Sequence, residues 1–224
     1  MSTLTVTTIN TSSNTTPLTM TTGNNTISID LMPANSTVRF SATNLLKNGQ
    51  VLGAGKQTMW LPAAAFQARL TNGPALNQVV STTNSINYKT YDFDPATVET
   101  AELQIRMPKS WDKGTITFTP VYSQLTTSAG SASWNLAACV ASTSDSIDVA
   151  YSTPITVTIS GGTANILYIG AESAAITPSG SPVDGDLLIL AISRGATLAA
   201  DTLAIDGRLH GINLFYTANT DSDL

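Results

Sequence analysis

The sequence predicts an all-β protein: a jelly-roll-like antiparallel β-sandwich preceded by a small Thr/Asn-rich β module. Three observations predict it. Apolar residues recur at every second position through the C-terminal part, the period of a strand with one buried face. Gly, Pro, Asp and Ser separate these runs at regular intervals. No stretch sustains a 3.6-residue period, and residues 196–204 hold one helical turn at most.

Residues 1–55 form the predicted N-terminal module. Thr and Asn dominate it, with Thr3, Thr5, Thr7 and Thr8 setting the pattern. Short alternating groups interrupt the polar run: Leu4/Val6, Leu18/Met20, Ile27/Ile29/Leu31 and Val38/Phe40. Turn signals separate them at Ser12-Ser13-Asn14, Gly23-Asn24-Asn25, Pro33-Ala34-Asn35 and Asn48-Gly49. Alternation with β-branched residues reads as short strands. Their apolar faces are thin, so they need partners from other chains or from the body. The competing reading is a disordered polar tail.

Residues 56–224 form the predicted body. Residues 50–60, with Gly53, Gly55 and Lys56, read as a linker into it. Trp60-Leu61-Pro62-Ala63-Ala64-Ala65-Phe66 reads as one helical turn or a first strand, and 71–84 as a long polar loop. Residues 86–93 are aromatic and β-favouring. Residues 98–107 put Ala101, Leu103, Ile105 and Met107 on one face and Glu102, Gln104 and Arg106 on the other. Residues 115–122 align Ile116, Phe118, Pro120 and Tyr122; Pro120 lacks a ladder donor, which places the strand near an edge. Trp134, Leu136, Ala138 and Val140 share a face in 133–141, as do Ile155, Val157 and Ile159 in 154–159. Residues 164–170 set Ile166 and Tyr168 opposite Leu167 and Ile169. Residues 186–194 hold an unbroken apolar run from Leu187 to Ile192, the pattern of a strand covered on both faces. Residues 208–217 set Ile212, Leu214 and Tyr216 opposite Leu209 and Phe215. About eight strands suit two four-stranded sheets.

Composition narrows the function. Hydrophobic residues make up 42% of the 224, enough for a real core, while charged residues are only 11%, against about 25% in ordinary soluble domains. Ser, Thr and Asn fill the gap. A polar, uncharged surface suits burial against symmetric copies better than a lone monomer. The net charge is −5 and the cations are scattered singly, so no basic groove for nucleic acid is expected. The longest apolar run, 187–192, is far too short to cross a membrane. The first residues, Met1-Ser2-Thr3-Leu4-Thr5, lack a charged and apolar leader pattern, which fits assembly in a cytoplasm. The one cysteine, Cys139, excludes an internal disulfide and reads as a buried small hydrophobe.

Catalytic chemistry finds little footing. The one histidine, His210, stands in Asp206-Gly207-Arg208-Leu209-His210-Gly211. A catalytic reading pairs it with Asp206 or Asp201; the preferred reading is a surface or interface histidine beside Arg208 on the last strand. Ile159-Ser160-Gly161-Gly162 is no nucleophile elbow, and Gly161-Gly162 no phosphate loop. Asp92 and Asp94 are too close along the chain for an inverting carboxylate pair and read as strand-end and turn residues. With Asp145, Asp148, Asp184 and Asp186 they offer oxygen ligands, but at no calcium-loop spacing. No catalytic, cofactor-binding or metal residue is therefore assigned. Sequons at Asn10, Asn14, Asn24 and Asn35 are expected by chance in so Thr-rich a segment. Of the three tryptophans, Trp60, Trp111 and Trp134, the last reads as core. Trp111 is the best exposed-aromatic candidate for a sugar platform, with loop anchoring the preferred reading.

Four segments carry a resemblance: Met59-Trp60-Leu61-Pro62-Ala63-Ala64-Ala65, Tyr91-Asp92-Phe93-Asp94, Met107-Pro108-Lys109-Ser110-Trp111, and Asp201-Thr202-Leu203-Ala204-Ile205-Asp206-Gly207-Arg208-Leu209-His210-Gly211-Ile212. They look like segments of uncharacterised virion surface proteins of tailed bacteriophages, over roughly residues 59–224. The Thr/Asn-rich start resembles repeats near the start of phage fibre and decoration proteins. The resemblance implies a non-enzymatic virion protein, commonly a trimeric β-sandwich, with itself and the major capsid protein or tail proteins as partners. Capsid decoration or cement, or a head fibre, is the expected role, with residues 1–55 attaching. The alternative is a tail-fibre tip whose loops, around Trp111 or in 71–84, read host surface glycan.

Overall fold

A computed structural model describes residues 46–47, 50–51 and 55–219. The expected N-terminal module, with its sequons, lies outside the described residues except at its last few positions. There, β1 (Leu46–Lys47) and β2 (Gln50–Val51) pair antiparallel, with the hairpin dipeptide Asn48-Gly49 between them in sequence.

The body is a jelly-roll-like antiparallel β-sandwich. Its strands are β3 (Gly55–Pro62), β4 (Gln67–Ala68), β5 (Ala75–Val80), β6 (Asn87–Phe93), β7 (Thr100–Arg106), β8 (Thr117–Gln124), β9 (Gly130–Ala141), β10 (Ile155–Gly161), β11 (Tyr168–Ile169), β12 (Leu187–Arg194) and β13 (Gly207–Ala218). One sheet has five strands in the order β10-β9-β12-β7-β4. The other has six: β11-β8-β13-β6-β5, with β3 also on β13.

The period-two faces meet between the sheets. Leu188, Leu190 and Ile192 of β12 and Trp134, Leu136 and Ala138 of β9 are fully buried. They face Phe118 and Tyr122 of β8, Phe93 of β6 and Leu209, Ile212 and Leu214 of β13 in the same core. Trp134 stands edge-on to Phe93, centroids 5.2 Å apart at 89°, a favoured aromatic geometry. Burial in this core pushes the Tyr122 hydroxyl up to about 12. The apolar strand expected at 186–194 is β12, central in its sheet, with Ile189 and Ala191 buried on its second face too. Pro120 sits in β8, next to last in its sheet, whose outer neighbour β11 is only two residues long.

Four expectations are corrected. Residues 55–60 are no linker: they are most of β3, which pairs with β13 from Gly55↔Ala218 to Pro62↔Gly211. Its polar start reflects a strand with a partner on one side only. The Trp60 segment is both things expected of it, strand through Pro62 and then a 3-10 turn over Ala63–Ala65. The polar loop at 71–84 contains β5, an edge strand on β6 none of whose residues is fully buried. The strand at 164–170 shrinks to Tyr168–Ile169 and leaves Ile166, Leu167 and Ile169 exposed.

The fourth correction concerns β13. Leu209 does not oppose Ile212; both are fully buried. A bulge intervenes: on β8, Tyr122 pairs with Leu209 and Val121 with Gly211, so His210 is an extra residue. Gly211 lets β3 lie close. A Cβ there would meet the Leu61 carbonyl oxygen at 2.4 Å and the Trp60 ring at 2.8 Å. Before the bulge β13 pairs with β6, and after it with β3, while β8 runs along its other side.

The connection from β12 to β13 is held by a buried ion pair. Arg194 and Asp201 have side chains 0% and 1% exposed. Arg194 donates from Nε and Nη2 to the two Asp201 oxygens at 3.0 and 2.7 Å. It also donates to the carbonyls of Phe93 and Ile205 at 3.2 and 2.6 Å, and to that of Leu203. The Ser133 N–H donates to Asp201 Oδ2 at 2.9 Å. Such a pair is tolerated in a core because its donors are all used.

Candidate functional site

The outer face of the six-stranded sheet carries polar residues that alternate with the core. On β6 these are Tyr88, Thr90 and Asp92, between inward Tyr91 and Phe93. On β13 they are Arg208 and His210, and on β8 Ser123. Tyr88, Ser123, Arg208 and His210 floor a groove of about 630 Å³, within the range of small-molecule sites, while Thr90 and Asp92 are buried beside them. Ser81, Thr82 and Ile86 at the β5–β6 turn wall one side; Leu125, Asn165 and Leu167 wall the other. A second hollow of about 410 Å³ continues it, sharing Gln78, Tyr88 and His210 and adding Lys89 and Pro62.

The floor is organised by Asp92. It accepts from Arg208 Nε at 3.1 Å, from Asn77 Nδ2 at 2.8 Å and from Thr90 Oγ1 at 2.9 Å. Three donors fix the carboxylate and through it the guanidinium. The Arg208 and Asp92 side chains are 10% and 9% exposed. Among the described residues nothing accepts from either Nη of Arg208, which lines the groove.

His210 lies two positions past Arg208 and so faces the same side, and the bulge then returns Ile212 to the core. Its ring stacks on Tyr88, centroids 5.1 Å apart at 28°, and its Nε2 lies 2.9 Å from Ser123 Oγ. Burial, then the nearby Arg208 charge, lower its pKa from the ordinary 6.5, partly opposed by Asp92.

The residues singled out in the sequence fall elsewhere or into other roles. Asp201 is committed to Arg194 and does not meet His210. Asp206 is exposed, and partial desolvation, then the charges of Asp94 and Asp92, raise its pKa. Asp94 caps a turn, accepting from the Ala96 and Thr97 N–H groups at 2.7 and 2.6 Å, which lowers its pKa. Asp186 accepts from Ser142 Oγ and the Val183 N–H, Asp145 from the Ser142 N–H, and Asp184 pairs with Lys113 at 2.8 Å. Among the described residues no group of three or more His, Cys, Asp or Glu is arranged for a metal. Cys139 is buried, and burial pushes its thiol up. Trp134 is core, as expected.

For Trp111 the preferred reading, loop anchoring, holds, and the sugar-platform alternative falls. The residue is 1% exposed, sealed in the core as the anchor of the β7–β8 loop, and Trp60, at 46%, is the exposed indole instead. The 71–84 segment does reach the groove, as strand β5 and its turn. Tyr88, Asn77, Ser123 and the open side of Arg208 went unnoticed in the sequence. Only the aromatic, alternating 86–93 run hinted at Tyr88, since partners 116 positions apart leave no local signal.

No family model and no curated protein matches the chain. Some solved structures share its outline. The CBM36-1 domain of a multidomain xylanase from the hindgut metagenome of Trinervitermes trinervoides is 10% identical, with a TM-score of 0.36 over 71% of this chain and 96% of that one. CBM35 from Cellvibrio japonicus Abf62 is 13% identical, with 0.39 over 73% and 99%. The CBM22-1–GH10 modules of Clostridium thermocellum xylanase 10B, complexed with xylohexaose, are 13% identical, with 0.41 over 74% of this chain and 28% of theirs.

Proposed function

We propose that the chain is a non-enzymatic structural protein of a bacteriophage virion, a trimeric capsid decoration or cement protein or a head-fibre protein. The sandwich is its body, and residues 1–55 attach it to the particle. The observation that carries this reading is the set of large aliphatic side chains left open on so weakly charged a body. Leu70, Ile147, Ile169 and Ile86 are 107%, 81%, 62% and 59% exposed. Open aliphatic side chains on a weakly charged body suit contact with copies or with a shell.

The segments that resemble phage virion proteins also support it. Met59–Pro62 belongs to β3 and Tyr91–Phe93 to β6, and both pair with β13. Trp111 bridges to Ala218 at the strand's end. The resemblance thus falls on one structural hub rather than on scattered surface.

The test joins mass to particle binding. Light scattering should give about three times the 23.4 kDa chain mass. The full chain should bind capsids stripped of accessory proteins, and a version lacking residues 1–54, which keeps all of β3, should not. A monomer, or a chain that ignores heads, overturns the decoration role. One observation favours a second reading, a tail-fibre protein that binds host glycan: the walled groove on the six-stranded sheet.

A further inference from the structure

The groove differs in charge from the other hollows on the body. Three of those set carboxylates beside a cation: Glu172 with Lys56 in one, Asp145, Asp184 and Asp186 with Arg106 in another, Glu102 and Asp148 with Arg69 in a third. The groove and its continuation are lined by Arg208 and Lys89 and by no carboxylate. The chain as a whole has 15 acidic residues against 10 basic, yet the carboxylate nearest this lining, Asp92, is held by Arg208 and stands outside it. A concave lining with guanidinium donors and no competing carboxylate favours an anionic ligand.

Arg208 sets the geometry. Asp92 takes its Nε, so the guanidinium is pinned along one edge, and both Nη groups remain for a ligand. A fixed planar fork with two free donors matches a carboxylate end-on. Asp92 lies beneath the guanidinium and is satisfied by its three donors, so it does not compete for the site. Beside the fork stand the stacked, part-exposed rings of Tyr88 and His210. Around it are amide and hydroxyl groups of Gln78, Asn165 and Ser123. Rings with apolar faces and polar edges suit a ligand with the same division.

We propose that this groove binds a carboxylated saccharide, its carboxylate held end-on by the two Nη groups of Arg208 and a sugar ring laid against Tyr88 and His210. The proposal rests on the host-glycan reading of the groove and names its ligand class. An acidic peptide is the competing occupant. The free edge of β5 offers a peptide backbone its ladder, whereas the sheet face offers rings and amides without one.

The experiment is calorimetric titration of the full-length chain with tri-galacturonate and with 3′-sialyllactose. Methyl-esterified trigalacturonate, lactose, acetate and triglutamate serve as comparisons. At least one acidic saccharide should bind. Its neutral counterpart should bind about tenfold to a hundredfold more weakly, the effect of losing one charge-assisted pair. Arg208→Gln should remove that preference. Tyr88→Ala, which keeps the Arg208–Asp92 pair and so guards against simple misfolding, should weaken both sugars. Equal binding of acid and neutral sugar overturns the carboxylate assignment and leaves the glycan reading standing. Binding of acetate or triglutamate as tight as that of the acidic sugar overturns the saccharide. Binding unaffected by Arg208→Gln and Tyr88→Ala overturns the site. Failure of every sugar overturns this inference and the glycan reading together, while the capsid experiment stands independently.

Discussion

Arg194 and Arg208 are buried in the same sandwich, and each grips an aspartate, yet they are finished differently. Arg194 spends its donors on both oxygens of Asp201 and on three carbonyls, with nothing left facing water. Arg208 gives one nitrogen to Asp92 and turns the rest toward a groove. The first pair closes a connection between strands; the second leaves a fork in place for something else. A buried charge that is fully satisfied argues for architecture, and one that is held but unfinished argues for a ligand.

The comparison breaks most visibly at Arg194. Arg194→Met strands Asp201 in the core and should cost about 3–5 kcal/mol, read as a lower urea midpoint. Arg208→Met should cost about 1–3 kcal/mol, because one hydrogen-bonded charge is lost beside open solvent. If Arg208→Met proves the costlier of the two, the division between sealed and open pairs is wrong.

The smallest effect sharpens the picture around the open pair. The fold favours the neutral form of His210, since burial and then Arg208 lower its pKa from 6.5. As pH falls, the unfolded chain takes up the proton first. Stability should therefore fall as pH drops through the ordinary histidine range near 6.5 and level off below the folded value. His210→Gln should flatten that slope in urea titrations between about pH 8 and pH 5. The chain has one histidine, so the difference between the two curves isolates its contribution. An unchanged slope would mean that the ring is not confined as the groove requires.

The readable part of the fold was the part with two contrasting faces. Leu103, Phe118, Trp134 and Leu190 each sit at the period of a half-buried or fully buried strand and lie where that period puts them. Edge strands were harder. Asn77 and Gln78 of β5, and Lys56 and Gln57 of β3, carry no apolar alternation because little of either strand is covered. Leu209 was misplaced because a bulge adds one position without any marker except the glycine that follows it. The candidate site was mostly hidden. Asp92, Ser123 and Arg208 lie on three strands whose pairing is a property of the whole fold. The isolated histidine stands out in the sequence for its chemistry, but its stacking partner does not.

The bulge has a consequence for heredity. Leu209 and Ile212 stand three positions apart and both face inward, a spacing that an unbroken strand forbids. Losing the codon for His210 would bring them two apart, the spacing an ordinary strand asks for, and the core would keep its phase. Losing the codon for Asn213 would instead turn Leu214 outward. Gaps among descendants of this sequence should therefore gather at position 210, where a lineage can discard the groove's histidine and still keep the sandwich.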